Sequence, residues 1–387
     1  MILPPQPLPS ARELFSIDPS VAHLNHGSYG TVPLPVQAVQ REFRERMEAN
    51  PMRFFAREIH GLVADARHAI AGFLGADPAL TALVPNATTA AQIVAESVPL
   101  TNDDQVIVTD HAYGTVVWGL TRACARSGAE VVTVPIDLDA TDDEIVAALQ
   151  SAVTPRTRLL MVDHITSPTA KVMPVERIVA AMGEAGVPVM VDAAHAPGML
   201  PVDVTALGAD FWLGNLHKWA YAPRGTAALV IKPRWRDQIR PVVVSWEDNA
   251  GFPGSVEWQA TADYTGWLAA PAGIAVLNQL GADQVRAHNA ALAAYGQRII
   301  AEALNLPAGP PASTPIAMRL LPLPAGMFTS AGDLTRFRDK VAEEAKLELA
   351  MNYWRDQAFV RISAQVYNHP GEYARCAETL NKQLTAL

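Results

Sequence analysis

Two apolar runs joined by one amphipathic segment decide the fold class. The first reads Arg158-Leu159-Leu160-Met161-Val162-Asp163-His164-Ile165, and the second reads Pro188-Val189-Met190-Val191-Asp192-Ala193-Ala194. Both are almost continuously apolar, which is typical of strands buried on both faces of a sheet. Between them, residues 174–185 begin with a proline and stop before a glycine, as helices commonly do. A strand, a helix and a second strand at this spacing predict a βαβ unit and a mostly parallel sheet.

The same alternation extends outward from this unit. Further apolar runs or strands are predicted at 106–110, 131–136, 211–216 and 227–232, and further helices at 88–98, 114–127 and 142–153. After Trp258 the pattern changes to long helices at 271–280, 283–304, 333–346 and 370–385, strands at 317–322 and 358–363, and a proline-rich linker at 307–315. We therefore expect an α/β fold whose sheet is flanked by helices, followed by a smaller α+β domain.

The composition excludes several classes of protein. The chain has 387 residues, of which 50% are apolar, so it can bury a large core in two or three domains. Its net charge of −9 argues against a nucleic-acid partner, since that needs a basic surface. No apolar run reaches the roughly 18 residues of a membrane helix, and the start of the chain lacks the basic region of a secretory signal. Two cysteines cannot form a disulfide scaffold and suit a reducing compartment. The sequence therefore predicts a cytoplasmic globular protein of the size of an enzyme.

Polar residues follow the apolar runs, at the sheet edge where open parallel sheets bind ligands. Asp192 follows Val189–Val191, and Lys218 follows the run 211–216. Each alone has an ordinary interpretation, the aspartate as a cap of the next turn and the lysine as a surface side chain. Together they match pyridoxal phosphate, which needs a lysine for a Schiff base and a carboxylate that keeps its pyridine nitrogen protonated.

Two further segments fit the same cofactor. Asn86-Ala87-Thr88-Thr89 places small and hydroxyl residues at a predicted helix start, where free N–H groups favour a phosphate. Tyr113, after strand 106–110, is suitably placed to cover the cofactor ring. An ordinary helix cap and a buried core tyrosine are the competing interpretations.

These elements, in this order, resemble the class V aminotransferase family of fold-type I pyridoxal-phosphate enzymes, and within it the isopenicillin N epimerase-like branch. The resemblance spans essentially the whole chain and includes His23–Pro33, Val191–Gly198 and Gly214–Trp219. It implies a large cofactor-binding domain over 21–258, a small C-terminal domain over 259–387 and an N-terminal segment, 1–20, that packs on the small domain. It also implies a homodimer with active sites at the interface.

The resemblance implies roles for the residues around the cofactor ring. Lys218 would carry the cofactor and move the proton at the substrate Cα. Asp192 would pair with the pyridinium nitrogen. His195 would lie near the ring hydroxyl, which Thr166 or Ser167 would also reach.

The resemblance also implies a phosphate site formed by Ala87, Thr88 and His217. In this family the neighbouring subunit often adds a Gly-Thr pair to that site. The matching stretch here reads Gln259-Ala260-Thr261, so Thr261 is retained while the glycine is replaced, and the backbone geometry stays open.

The substrate residues follow from the same resemblance. Arg361 is similar to the arginine that binds the substrate α-carboxylate, a task that suits a planar fork of donors, although a surface ion pair is the alternative. Asn25 is expected beside it. Tyr29, a water or a histidine would serve as the second acid if the reaction is an epimerisation.

The cysteines exclude one reaction of the family. Cysteine desulfurases need a reactive thiolate on a loop of the small domain, and residues 307–335 contain no cysteine, whereas Cys124 and Cys376 fall in predicted helices. We expect C–S bond cleavage of a cysteine S-conjugate by β-elimination in secondary metabolism, such as antibiotic biosynthesis. Decarboxylation-dependent oxidative deamination and epimerisation remain alternatives, and transamination is less favoured. An aromatic mouth is expected for a bulky substrate, formed by Phe54, Phe55, Trp219, Tyr221 and Trp246.

A metal-dependent hydrolase is the competing class, because Asp110-His111, Asp163-His164 and His217 also stand near strand ends. The sequence has no His-x-His or His-Glu-x-x-His pair, and a metal site would leave Lys218 unused, so no metal is expected. A catalytically inactive binding protein is the third alternative, against which an intact Lys218 argues.

Overall fold

The computed structural model describes residues 3–307, 309 and 314–386, so the predicted linker 307–315 lies for the most part outside the described residues. The strands, in chain order, are β1 (Ala22–His23), β2 (Thr81–Val84), β3 (Gln105–Thr109), β4 (Glu130–Val134), β5 (Thr157–Asp163), β6 (Val189–Asp192), β7 (Phe211–Asn215), β8 (Ala227–Ile231), β9 (Met318–Pro322), β10 (Leu347–Glu348), β11 (Ala350–Trp354) and β12 (Gln357–Ser363). The helices are α1 (His26–Tyr29), α2 (Leu34–Ala49), α3 (Pro51–Arg53), which continues as a π-helical turn (Phe54–Glu58), α4 (Ile59–Leu74), α5 (Ala87–Ser97), α6 (Gly114–Ser127), α7 (Asp142–Ala152), α8 (Val175–Glu184), α9 (Val204–Leu207), α10 (Leu216–Trp219), α11 (Gly254–Glu257), α12 (Thr265–Gln279), α13 (Ala282–Leu304), α14 (Ala331–Ala345) and α15 (Pro370–Thr385).

A seven-stranded sheet forms the centre of the part of the chain that the structure describes. Its order is β2-β8-β7-β6-β5-β3-β4. The strands from β7 to β4 pair in parallel, while β8 and β2 are antiparallel to their neighbours. The predicted α/β fold with a mostly parallel sheet is confirmed. The predicted strands end one or two residues late, because Ile165 and Ala194 already lie beyond the ends of β5 and β6.

Consecutive residues of the central strands pack into separate cores on the two faces of the sheet. In β5, Leu159 and Met161 belong to one apolar cluster, whereas Leu160 and Val162 belong to the other. Side chains alternate between faces along a strand, so burial on both faces requires an unbroken apolar run. Helices α5 and α6 cover one face, and α4, α7, α8 and α12 cover the other.

The C-terminal part is built on a smaller antiparallel sheet, in the order β11-β12-β9. Helices α13, α14 and α15 contribute to its apolar core. The start of the chain joins this part, because β1 pairs in parallel with β10 and Phe15 packs edge-on against Tyr367 at 5.1 Å. The division of the chain at residues 20 and 258 stays a prediction. No helix among the described residues is long and apolar enough to cross a membrane.

The parallel strands end at one edge of the large sheet and leave a crevice there. β3 and β5 are neighbours, yet the chain visits β4 between them, so the connections leave this pair in opposite directions. Such a switch point is where open α/β sheets bind ligands. Tyr113 follows β3, Asp163 ends β5, Asp192 ends β6, and α10 with Lys218 directly follows β7.

Candidate active site

Two adjoining cavities open beyond these strand ends. The inner one, of about 260 Å³, is lined by the sequence-predicted residues Tyr29, Ala87, Thr88, Tyr113, Ser167, Asp192, His195, His217 and Lys218. The outer one, of about 430 Å³, reaches Asn25 and Arg361. Both are lined by Lys218, which therefore stands where the two cavities meet.

Lys218 lies in the short helix α10, and its Nζ is 3.2 Å from Nε2 of His195. Removal from water lowers the pKa of its amine to about 8, since the negative charge of Asp192 offsets burial only in part. The positive charge of Arg361 lowers this pKa further. An appreciable fraction of free amine near neutral pH is what attack on a carbonyl requires.

Two carboxyl groups stand side by side in the inner cavity. Asp163 of β5 is the register partner of Asp192 of β6, and each is only 2% exposed. Asp192 accepts a hydrogen bond from the amide of Ala194 at 3.0 Å, whereas Oδ2 of Asp163 has no partner among the described residues. Burial raises the pKa of both, and the charge of Asp192 raises that of Asp163 further, well above its usual range. The pair therefore offers one carboxylate beside Lys218 and one neutral carboxyl group.

Asp163 is a site residue that the sequence interpretation missed. It was considered only as a metal ligand, although it ends an apolar run in the same way as Asp192. No group of three or more His, Cys, Asp or Glu side chains among the described residues is arranged to hold a metal ion.

His195 is buried between Lys218 and Trp219. Its Nδ1 accepts a hydrogen bond from the indole N–H of Trp219 at 3.3 Å. Burial, followed by the charges of Lys218, Arg361 and His217, lowers the pKa of the imidazole well below its usual value, so the ring is neutral.

The expectation of an aromatic mouth is wrong. Trp219 and Tyr221 are 2% and 0% exposed, and Phe54 and Phe55 belong to the core on one face of the large sheet. Trp246 is 93% exposed but lines neither cavity. Packing against apolar cores buries Phe54, Trp219 and Tyr221 and partly buries Phe55, so none of these four forms an open mouth.

The start of α5 lines the inner cavity, and two of its backbone amides already donate hydrogen bonds to side chains. The amide of Ala87 donates to Oδ1 of Asn215 at 2.9 Å, and that of Thr89 donates to Oδ1 of Asn86 at 2.8 Å. The first amides of a helix have no acceptor within it, and Thr88, which lines the cavity, has no acceptor for its amide among the described residues, while its hydroxyl lies 3.4 Å from that of Thr115. Asn215, which lines the cavity and orients this turn, was not predicted as a site residue.

The other two predicted phosphate residues lie apart. His217 lines the inner cavity, where its Nδ1 donates to the carbonyl of Thr226 at 2.9 Å and burial lowers its pKa to about 4. Thr261 is exposed and lies outside both cavities of its own chain. Next to it, Ala260 has a φ of 63°, a left-handed conformation that favours glycine, and its carbonyl accepts from the hydroxyl of Tyr264 at 2.7 Å.

Of Thr166 and Ser167, the two alternatives proposed to reach the ring hydroxyl beside His195, only Ser167 lines the cavity. The hydroxyl of Thr166 lies 2.6 Å from that of Thr169 and accepts from the amide of Lys171 at 2.8 Å. Thr166 is fully buried and shapes the turn after β5. The structure therefore brings Ser167, but not Thr166, to the site.

Arg361 is a buried cation with no carboxylate partner among the described residues. Its Nη1 donates to the carbonyl and hydroxyl of Ser167, and its Nη2 donates to Oδ1 of Asn25 at 3.1 Å. The guanidinium is only 4% exposed, and burial lowers its pKa to about 10. A buried positive charge held only by neutral acceptors is suited to a carboxylate ligand.

The cysteines lie away from the site. Cys124 in α6 and Cys376 in α15 are buried, and burial raises the pKa of both thiols, that of Cys376 to about 12. Neither lines a cavity described above.

These residues fit pyridoxal phosphate. One cavity is surrounded by the buried amine of Lys218 with its lowered pKa, by Asp192 with its neighbour Asp163, whose Oδ2 has no partner among the described residues, and by a helix start with a free amide. A family model described as aminotransferase class-V matches residues 28–317. The chain belongs to the class V aminotransferase family. Its enzymes use pyridoxal phosphate, so the predicted family, cofactor and enzyme class are confirmed.

Individual relatives narrow the chemistry. Isopenicillin N epimerase of Streptomyces clavuligerus is 32% identical over 394 residues, which cover 96% of this chain and 97% of the relative. L-cysteine desulfhydrase of Arabidopsis thaliana is 30% identical over 397 residues, which cover 94% and 87%. A solved complex of the cystine C–S lyase C-DES with its product cysteine persulfide is 22% identical, has a TM-score of 0.78 and covers 93% of this chain and 97% of its own, which shows that the two share a fold. The chain is thus an enzyme of the C–S lyase or epimerase type.

Proposed function

We propose that the enzyme cleaves the Cβ–S bond of a cysteine S-conjugate by β-elimination. The observation that carries this proposal is the outer cavity, whose volume of about 430 Å³ lies in the range of whole ligand sites and exceeds what an amino-acid backbone needs. A conjugate R–S–CH₂–CH(NH₃⁺)–COO⁻ would place R in this cavity. Elimination and hydrolysis consume one water and release the thiol R–SH, pyruvate and ammonia.

Arg361 would bind the substrate carboxylate. Its guanidinium already lies beside Asn25 and Ser167, which hold the planar fork in one orientation. A carboxylate entering this buried pocket would supply the missing negative charge, and the two would form charge-assisted hydrogen bonds.

Lys218 would move the proton. Its amine, at the junction of the two cavities, would take the proton from Cα and return one to the leaving sulfur. Pyridoxal phosphate, when bound, supplies the electron sink that makes this proton acidic. Asp192 would keep the pyridine nitrogen protonated.

The remaining lining residues would bind and orient the cofactor. Thr88 and His217 would hold the phosphate, with Ala87 at the same helix start, and a dianion there would raise the pKa of His217 from about 4. Ser167 and His195 would lie on the ring hydroxyl side. Tyr113, which is 44% exposed, would cover the ring.

Epimerisation is the second candidate function. The observation that favours it is Tyr29, which lines both cavities and would return a proton to Cα as a second acid. Because elimination needs only one acid–base group, loss of Tyr29 separates the two reactions.

A homodimer is part of the proposal. Val244 and Trp246 are 79% and 93% exposed, an apolar surface that two copies would bury against each other. Thr261 is exposed as well, so it is accessible to the phosphate site of a partner subunit.

One experiment tests these alternatives. The enzyme, loaded with pyridoxal phosphate, is incubated with S-benzyl-L-cysteine or L-cystine in deuterated buffer, and thiol, pyruvate, carbon dioxide, hydrogen peroxide and Cα deuterium are measured. Equal amounts of thiol and pyruvate without peroxide support elimination. Carbon dioxide with peroxide would instead establish oxidative deamination, and deuterium with inversion at Cα but no pyruvate would establish epimerisation.

A further inference from the structure

Trp219 is packed behind His195, one of the residues that line the inner cavity. It directly follows Lys218 in α10 and is only 2% exposed. Its ring centroid lies 4.9 Å from that of His26, and a Cβ added to Gly27 would come within 3.2 Å of the indole. Met318 packs in the same apolar cluster. The indole therefore has no room to turn its N–H away from His195.

The hydrogen bond from Trp219 determines where His195 carries its proton. The indole N–H is a donor only, so Nδ1 of His195 must present its lone pair. A neutral imidazole has one proton, which must then reside on Nε2. His195 therefore turns an N–H, and not a lone pair, toward Nζ of Lys218 at 3.2 Å.

An N–H at this distance distinguishes the two states of the lysine. The free amine has a lone pair that accepts from Nε2, whereas the ammonium has only donors and would place like partial charges against each other. We propose that Trp219 is a positioning residue that fixes the tautomer of His195 and, through it, favours the free amine of Lys218. The inference rests on the proposed function of Lys218 as the amine that binds the cofactor.

The backbone of α10 is held from the other side, so Nζ cannot easily retreat from this contact. Nε2 of His26 donates to the carbonyl of Lys218 at 2.7 Å, and Nδ1 of His26 accepts from the hydroxyl of Tyr367 at 3.0 Å. Gly30, with a φ of 66°, packs so closely on the carbonyl of His217 that a Cβ would lie 2.2 Å from it. His26 and Gly30 therefore both hold the segment that carries Lys218.

The first test observes the tautomer directly in the apoprotein. Histidines are labelled with ¹⁵N, and the signal of His195 is assigned by its loss in His195→Gln. We expect the Nε2–H tautomer in the parent protein and a shift toward Nδ1–H in Trp219→Phe, which removes the donor but retains an aromatic ring. An Nδ1–H tautomer in the parent protein would overturn the proposal whether or not the variant folds.

The second test measures the free amine of Lys218. The apoprotein is treated with trinitrobenzenesulfonate between about pH 6 and pH 10, and modification of Lys218 is followed by mass spectrometry. In Trp219→Phe the released Nε2 lone pair would stabilise the ammonium, so we expect about tenfold less reactive amine at neutral pH and a profile moved to higher pH. An unchanged profile in this variant would overturn the proposal.

The control removes an indole N–H elsewhere. Trp235 is 7% exposed and donates to Oδ1 of Asp210 at 2.9 Å, away from both cavities. Trp235→Phe should leave the Lys218 profile unchanged. Both variants retain the ionisable groups that face Lys218, so these groups affect the ionisation of its amine equally in the two proteins. They are Asp163, Asp192, His195, His217 and Arg361.

Neither test uses the cofactor, so the two proposals can fail separately. A parent protein that shows the expected tautomer and pH profile but takes up no pyridoxal phosphate would refute the proposed function alone. A parent protein that takes up the cofactor while Trp219→Phe behaves identically would refute the positioning role alone.

Discussion

Replacing Arg361 with methionine tests the proposed carboxylate site most directly. Methionine keeps the length of the side chain and suits a position that is only 4% exposed, but it removes the charge and the planar donors. The proposed complex would lose two charge-assisted hydrogen bonds, at about 1.5–3 kcal/mol each, or roughly 3–6 kcal/mol in total. At about 1.4 kcal/mol for each factor of ten, kcat/KM should fall by on the order of 10² to 10⁴.

Binding of substrate analogues separates this loss from a general disturbance of the site. 3-(Benzylthio)propanoate has the carboxylate and 3-(benzylthio)propanol lacks it, and both are assayed as competitive inhibitors of S-benzyl-L-cysteine cleavage. The parent enzyme should prefer the carboxylate, and Arg361→Met should lose that preference. The matched control is Arg338→Ala, which removes an arginine from the same outer cavity, where it pairs with Asp339 near the surface. Since exposed pairs contribute about 0–1 kcal/mol, this variant should keep the preference. If both analogues weaken equally in Arg361→Met, the reasoning is wrong.

Three further predictions concern the amine, the paired carboxyl groups and the interface. The rate at which the apoprotein binds pyridoxal phosphate, followed by absorbance, should increase about tenfold per pH unit as the pH is raised toward about 8 and then level off, because the pKa of Lys218 is lowered to about 8. A rate that does not change across this range would contradict the free-amine requirement. Asp163→Asn should unfold at a midpoint no lower than that of the parent protein at neutral pH, and its advantage should grow as the pH rises. The reason is that the pKa of Asp163 is raised in the folded parent, which therefore loses stability as this carboxyl group is deprotonated. Asp192→Asn should instead abolish catalysis, and equal loss of activity in both variants would refute this division of roles. Val244→Asp with Trp246→Asp should convert the proposed dimer to a monomer in light scattering, and an unchanged mass would place the interface elsewhere.

The sequence was most informative where burial dictates residue type. Unbroken apolar runs predicted β5, β6 and β8 within a few residues, because a strand covered on both faces tolerates few polar side chains. Helices with clear caps were equally predictable: α7 begins with a capping box formed by Thr141 and Glu144. By contrast, α2 and α4 were not predicted, and β1 and β10 are two-residue strands that exist only through their pairing with each other.

In the candidate active site, too, local patterns were predictable and contacts between distant segments were not. Asp192 and Lys218 were predicted because their chemistry contrasts with the apolar runs before them. The register that places Asp163 beside Asp192 and the contact between Trp219 and His195 depend on distant segments meeting, which no local pattern reports. Thr166 illustrates the converse, since its residue type suits the proposed role while the turn that it belongs to directs its hydroxyl elsewhere.

The pairing of β1 with β10 has a consequence for biosynthesis. The residues that line the inner cavity lie between Ser28 and Lys218, whereas Arg361 follows Lys218 by 143 residues. The segment with Asn25 and His26 precedes Lys218 in the chain and contacts its helix, whereas β10, the strand that pairs with β1 beside this segment, is translated after Lys218. A nascent chain therefore contains all the residues that line the inner cavity well before it contains Arg361, the residue proposed to bind the substrate carboxylate.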